Sequence, residues 1–120
     1  VVDGKSLAFL DPVDLYAILG NALDNAVEGV SGFSDKTKRL IDLAVYTRNQ
    51  FLVITVSNPV EGELQFLGGL PVTTKKDKGY HGFGLRSIRH TVKQYGGHIN
   101  VSVEHGTFLL KMIIPLPKQA

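Results

Sequence analysis

Two periodicities divide the chain. From Pro12 to Glu28 apolar and polar residues recur at helical spacing, and the start is well marked: Asp11 suits an N-cap, Pro12 the first helical position, and Asp14 the positive helix end. This predicts a helix over about 12–28 that stops at Gly29, with Val13, Ala17, Leu23 and Val27 supplying part of its apolar face. A polar loop follows over 30–38. Residues 39–47 alternate with period two, Leu40, Asp42, Ala44 and Tyr46 against Ile41, Leu43 and Val45, and Arg48-Asn49-Gln50 turns them into the β-branched run 51–57. Residues 99–104 and 107–114 form a second hairpin, joined at His105-Gly106 and ending at Pro115. Residues 85–95 read as a helix closed by Gly96-Gly97.

Between Pro59 and Tyr80 the periodicity fails, with Gly62, Gly68, Gly69 and Pro71 punctuating the chain. A loop this long in a small protein is usually functional, and a mobile lid over a ligand is the common reason. The elements together predict an α+β fold, a two-layer sandwich of one mostly antiparallel mixed sheet with helices on one face.

Composition narrows this further. At 120 residues, 43% hydrophobic and 20% charged, the chain can build one proper core and hardly two, so residues 1–120 read as a single globular domain. A formal net charge of +2 is too small to imply nucleic acid as a partner. Charge does concentrate at Lys75, Lys76 and Lys78, where a solvated loop is the plain alternative to a binding role. Without cysteine there is neither a disulfide framework nor a thiolate metal site, which fits a reducing compartment. No apolar run approaches membrane-spanning length, and Val1-Val2-Asp3 has neither an initiator Met nor a signal pattern. The expectation is a piece excised from the C-terminal part of a longer protein, any anchor, sensor or dimerisation element lying upstream.

Candidate chemistry sits in two patches. Asn21 and Asn25, one helical turn apart, project both amides from one helix face, and an amide carbonyl is a hard, neutral oxygen able to bind magnesium that already carries phosphates. About sixty residues later His81-Gly82-Phe83-Gly84-Leu85 offers a Gly-x-Gly that leaves backbone amides bare for those phosphates. An asparagine pair also serves simply to bond a neighbouring loop, and glycines before a helix commonly make a turn. The order of the two patches, with a long polar loop between them, favours the nucleotide. Other glycine motifs do not fit: there is no Gly-x-x-x-x-Gly-Lys-Ser/Thr, and a dinucleotide fingerprint would need a glycine at Ser87 and a strand feeding directly into the motif.

On these residues the segment from Asp14 to Glu28 resembles the N box of the gyrase, chaperone, histidine kinase and mismatch-repair ATPase superfamily, and Lys78 to Gly97 resembles its second glycine box. The strand before Asn58 falls where the first glycine box belongs. The wording Asn-Ala-Leu-Asp-Asn-Ala-Val-Glu, followed by Thr73-Thr74-Lys75-Lys76 and His81-Gly82-Phe83-Gly84-Leu85, looks most like the catalytic domain of peptide-responsive sensor histidine kinases of the accessory-gene-regulator type. The resemblance implies the Bergerat fold, with nucleotide held between helices and sheet under a lid.

It also implies roles. Asn25 matches the asparagine that coordinates the magnesium bridging the phosphates. Asn21 falls where hydrolysing members place a water-activating glutamate and kinases of this group carry asparagine; an amide is no general base. Asn58 aligns with the aspartate that reads the adenine amine, although Asn58-Pro59-Val60-Glu61-Gly62 lacks the Asp-x-Gly-x-Gly spacing, and a turn asparagine before proline is the other reading. Lys75 or Lys76 would meet the β- or γ-phosphate, and Gly82 and Gly84 would let the backbone approach it near the start of the Leu85 helix. Phe83 and Leu85 would pack, His81 would bond a phosphate or serve structurally, and Glu28 would support the site or be solvated.

The expected function is that of an ATP-binding catalytic domain, transferring the γ-phosphoryl group of Mg-ATP (cofactors ATP and Mg2+) to a histidine on a separate dimerisation domain in two-component signalling. His81, His90, His98 and His105 lie in the lid, the post-glycine helix and the final hairpin, so none has the context expected of that acceptor. A response regulator is the indirect partner. The parent protein is expected to be a membrane-anchored homodimer with this domain in the cytoplasm. The alternatives are an anti-sigma-type serine kinase or protein-binding ATPase module, and a degenerate nucleotide-binding sensor.

Overall fold

The computed structural model describes residues 4–60, 66–71 and 80–117. Helix α1, Pro12–Ser31, starts as its sequence dictates, the Asp11 carboxylate accepting from the Val13 amide at 2.9 Å with Pro12 in the first turn. It does not stop at Gly29. The helix continues to Ser31, and the amide of Gly32 closes it on the Val30 carbonyl. Its inward face also differs from expectation. Ile18, Ala22, Ala26 and Val30 are buried, whereas Val13 is 76% and Val27 55% exposed. An apolar-rich helix offers more than one stripe, and the four-residue ladder wins because its two alanines let the backbone lie close to the sheet. Of the four residues expected inside, Leu23 packs against the core edge and Ala17 is half-buried.

The main sheet contains β1 (Asp42–Arg48), β2 (Phe51–Pro59), β5 (His98–Glu104) and β6 (Thr107–Pro115) in the order β1-β2-β6-β5. Among the described residues every neighbouring pair is antiparallel, in keeping with the mostly antiparallel sheet expected. Both predicted hairpins form on two-residue turns with positive φ, Asn49 (50°) and Gln50 (70°) in one, His105 (51°) and Gly106 (73°) in the other. On β2 the row Leu52, Ile54, Val56, Asn58 lies opposite Ile114, Met112, Leu110 and Phe108 of β6, and all eight are buried. Period-two geometry puts the row on one face, beneath the helices. Asn58 therefore takes a core position.

The connection from β2 to the second helix is not featureless. Phe66–Leu67 (β3) and Leu70–Pro71 (β4) form a small antiparallel ribbon through Gly68 and Gly69, both with positive φ. Leu70 enters the core, and Arg89 Nη1 donates to the Gly68 carbonyl at 2.7 Å. Two residues per strand are too few to leave a periodic signal. Helix α2 runs Tyr80–Gln94, five residues earlier than the expected start at Leu85. Its buried Leu85, Ile88 and Val92 lie on one stripe. Glycine weakens a helix by only about 1 kcal/mol, so a packed helix tolerates the glycines of its first turns. Gly96 (φ 79°) ends it, with the Gly97 amide bonded to the Val92 carbonyl at 3.0 Å in a Schellman closure.

The two stripes of α1 separate in a stability measurement. Ile18→Ala is expected to cost about 2–5 kcal/mol by emptying a fully buried site, and Val27→Ser to stay within about 0.5 kcal/mol. Urea midpoints at unchanged slope report both. Comparable losses in the two variants would mean that the inward face is misassigned.

Candidate functional site

Asn21, Asn25 and Gly29 follow one another at intervals of four and so share one face of α1. Helical rise sets Gly29 about 12 Å along the axis from Asn21. Both asparagines are half-buried. At one end of this ladder, Asn21 Oδ1 lies 3.8 Å from where a Cβ on Gly84 of α2 would stand. At the other, Asn58 Nδ2 lies 2.6 Å from where a Cβ on Gly29 would stand. The ladder thus joins the glycine patch of α2 to the buried amide of β2, bringing together the two sequence patches and the strand end.

Asn58 belongs to a strand and not to a turn. It is 3% exposed, and its Nδ2 donates to the Pro59 carbonyl at 2.9 Å. A carbonyl only accepts, so the amide nitrogen must face it, and the amide oxygen is left as the group able to accept from another donor.

His81, Gly82, Phe83, Gly84 and Leu85 fall in the opening turns of α2. The first-turn amides have no carbonyl partners within the helix, so its positive end lies at Tyr80 and not at Leu85. Leu85 is fully buried and packs as expected. Gly84 is helical, and a Cβ there would make only ordinary contacts of 3.8–3.9 Å, so no left-handed backbone requires this glycine. Lys75 and Lys76 lie outside the described residues, as do the side chains of His81 and Phe83. Glu28 is half-buried, with Oε2 enclosed.

The helix pair is held in register by a contact with no motif behind it. The Tyr95 hydroxyl, just past α2, donates to Asp14 Oδ2 at 2.6 Å and accepts from the Asp11 amide at 3.0 Å, while its ring meets Phe9 edge to face at 6.2 Å. Donation to the Asp14 carboxylate pushes the tyrosine pKa above its ordinary value, partly offset by the Asp11 amide. With Asn21 beside Gly84 and Asp14 beside Tyr95, α1 and α2 run antiparallel. Sequence reasoning missed Tyr95 and also Gly29. The one available signal was the four-residue spacing that continues the asparagine ladder into a glycine.

A family model for the GHKL domain matches residues 10–115. The chain belongs to the GHKL domain family. Among solved structures it resembles the catalytic domain of histidine kinase ThkA, at 23% identity and a TM-score of 0.63 over 90% of this chain and 70% of that one. Acinetobacter baumannii histidine kinase AdeS matches at 15% identity and a TM-score of 0.63 over 90% of this chain and 48% of that one. A blue-light activated histidine kinase domain from Erythrobacter litoralis matches at 21% and 0.58, over 86% of this chain and 43% of that one. The chain thus spans about half the length of the latter two, and the likeness at these identities is one of fold. No curated protein sequence matches the chain.

In this GHKL domain Tyr95→Phe removes both bonds of the clamp and is expected to cost about 1 kcal/mol at neutral pH. Because the folded pKa is raised, the stability tied to the hydroxyl is fully present below the ordinary tyrosine pKa of about 10 and is lost as pH climbs through the higher folded value. The gap between wild type and variant in urea denaturation should hold between about pH 7 and 9 and narrow above about pH 10. A gap that stays constant into that alkaline range would contradict the clamp.

Proposed function

We propose that the chain is the ATP-binding catalytic domain of a sensor histidine kinase of the accessory-gene-regulator-like type. One observation carries this reading: a single ladder on α1 lies beside Gly84, one turn into α2, at one end and beside a buried, oriented asparagine at the other. A nucleoside triphosphate has the same polarity, a base at one end and phosphates at the other. In this reading Asn58 accepts from the adenine amine, and the first turn of α2, with Gly82 and Gly84, receives the phosphates. His81, Lys75 and Lys76 belong to that phosphate end.

The donor set suits magnesium of the kind nucleotides carry. Asn25 supplies a neutral oxygen that does not repel phosphate, and among the described residues no group of three or more His, Asp or Glu could hold a bare ion by itself. Bound there, magnesium would neutralise charge on the phosphates. Asn21 beside Gly84 has an amide where a base would be needed to activate water, which favours transfer to an acceptor brought into line over hydrolysis. In the transfer, the bond from the γ-phosphorus to its bridging oxygen breaks, a bond to an imidazole nitrogen forms, and ADP leaves. The acceptor histidine resides on a separate dimerisation domain, whose phosphoryl group passes to a response regulator. The domain works in the cytoplasm, within a membrane-anchored homodimeric parent. Nucleic acid is not a partner.

Asn25→Ala is expected to fold as the wild type does and to lose about tenfold or more in magnesium-dependent ATP affinity. Unchanged affinity would remove Asn25 from the site. With γ-labelled ATP, the chain alone should gain no acid-labile label, whereas adding the parent's dimerisation domain should produce label on that domain. Acid-stable label on a protein substrate would favour the serine kinase reading. Rapid ATP turnover abolished by Asn21→Ala would overturn the assigned division of labour.

A further inference from the structure

Gly29 stands in the last turn of α1 with a helical backbone, where glycine still disfavours the helix relative to alanine. Its conformational freedom is unused, so the missing side chain needs another reason. Gly20 of the same helix has nothing within 4 Å of the position its Cβ would take. At Gly29 that position lies 2.6 Å from Asn58 Nδ2, 3.4 Å from Cγ and 3.7 Å from Oδ1. The amide of Asn58 occupies the space of the absent methyl group.

Asn58 has little room to yield. It is buried in the core-facing row of β2 opposite Phe108, and its nitrogen is committed to the Pro59 carbonyl. A methyl group at position 29 would strike the nitrogen first. It would either break the bond to Pro59 and turn the amide, or lift the carboxyl end of α1 from the strand. In both cases the amide oxygen is moved from its present place.

We propose that Gly29 is a positioning residue for base recognition: by lacking a side chain it seats the Asn58 amide so that its oxygen, and not its nitrogen, meets the base, which selects a base whose exocyclic amine stands at that place. This rests on the nucleotide-binding reading above. A base presenting a carbonyl at that place, as guanine does, would set oxygen against oxygen.

Binding of Mg-ATP, Mg-GTP and magnesium tripolyphosphate, which keeps the phosphates and lacks the base, separates the possibilities. Wild type should prefer ATP to GTP. Gly29→Ala should weaken ATP about tenfold, the order of one buried hydrogen bond, lose much of that preference, and leave tripolyphosphate unchanged. Equal weakening of ATP and tripolyphosphate would show general damage and overturn the proposal, as would an unchanged ATP to GTP ratio. Wild type that binds none of the three would sink the nucleotide reading itself, a different result from wild type that binds while Gly29→Ala alters nothing. Should Gly29→Ala not fold, its combination with Asn58→Ala decides: with the amide gone, the double variant should fold and melt no lower than Asn58→Ala alone, since alanine then improves the helix. A double variant as damaged as Gly29→Ala would mean that the glycine does not serve Asn58.

Discussion

Helix α1 carries no bulky side chain at Ala22, Ala26 and Gly29, and this smallness sets how closely the helix lies against the sheet. Ala22 and Ala26 are fully buried, and at Gly29 even a methyl group would meet the Asn58 amide. Close approach fixes distance, and distance decides whether groups on three elements can share one ligand. A helix held off by larger residues would keep its own hydrogen bonds and still part Asn58 from the asparagine ladder. Packing interiors respond to single methyl groups for the same reason.

Distance alone does not fix rotation or register along the axis. Ile18 and the buried ladder set the rotation, while Tyr95, bonded to Asp14 and to the Asp11 amide, ties the start of α1 to the end of α2. The same contact places Asn21 beside Gly84 two turns further on. The helices also differ in charge: α1 bears Asp14, Asp24 and Glu28 with no Lys or Arg, and α2 bears Arg86, Arg89 and Lys93 with no Asp or Glu. The helix that begins at the proposed phosphate end is thus the basic one, which suits an anionic ligand.

What the sequence shows depends on how local the cause is. The α1 start, both long hairpins and the glycine closure of α2 were legible because caps, two-residue turns and period-two alternation act within a few residues. The inward face of α1 was not, since Val13 and Val27 are as apolar as their rivals and only the sheet, brought from far along the chain, chooses between stripes. The start of α2 was misplaced because glycines read as a loop until packing of Leu85, Ile88 and Val92 outweighs their small helix penalty. The asparagines and the glycine patch were found by spacing, and their meeting is a tertiary fact. Gly29 was read as a helix stop, the local meaning of glycine, when its meaning lies in the Asn58 amide across the layer boundary.

The three asparagines of the site share one physical property, which bears on what the domain would do. An amide is neutral, does not titrate, and both donates and accepts. In the proposed function Asn25 can therefore sit beside phosphates without repulsion, Asn58 can read a base by orientation alone, and Asn21 can occupy the position nearest the glycine patch without activating water. A carboxylate at any of these places would add charge that must be neutralised, and at Asn21 it would add a base. In that proposed function a neutral set would hold a triphosphate in place and leave the reactive group to be supplied by the acceptor. In the proposed function that division would keep ATP intact until an acceptor histidine arrives, as signalling by phosphoryl transfer requires.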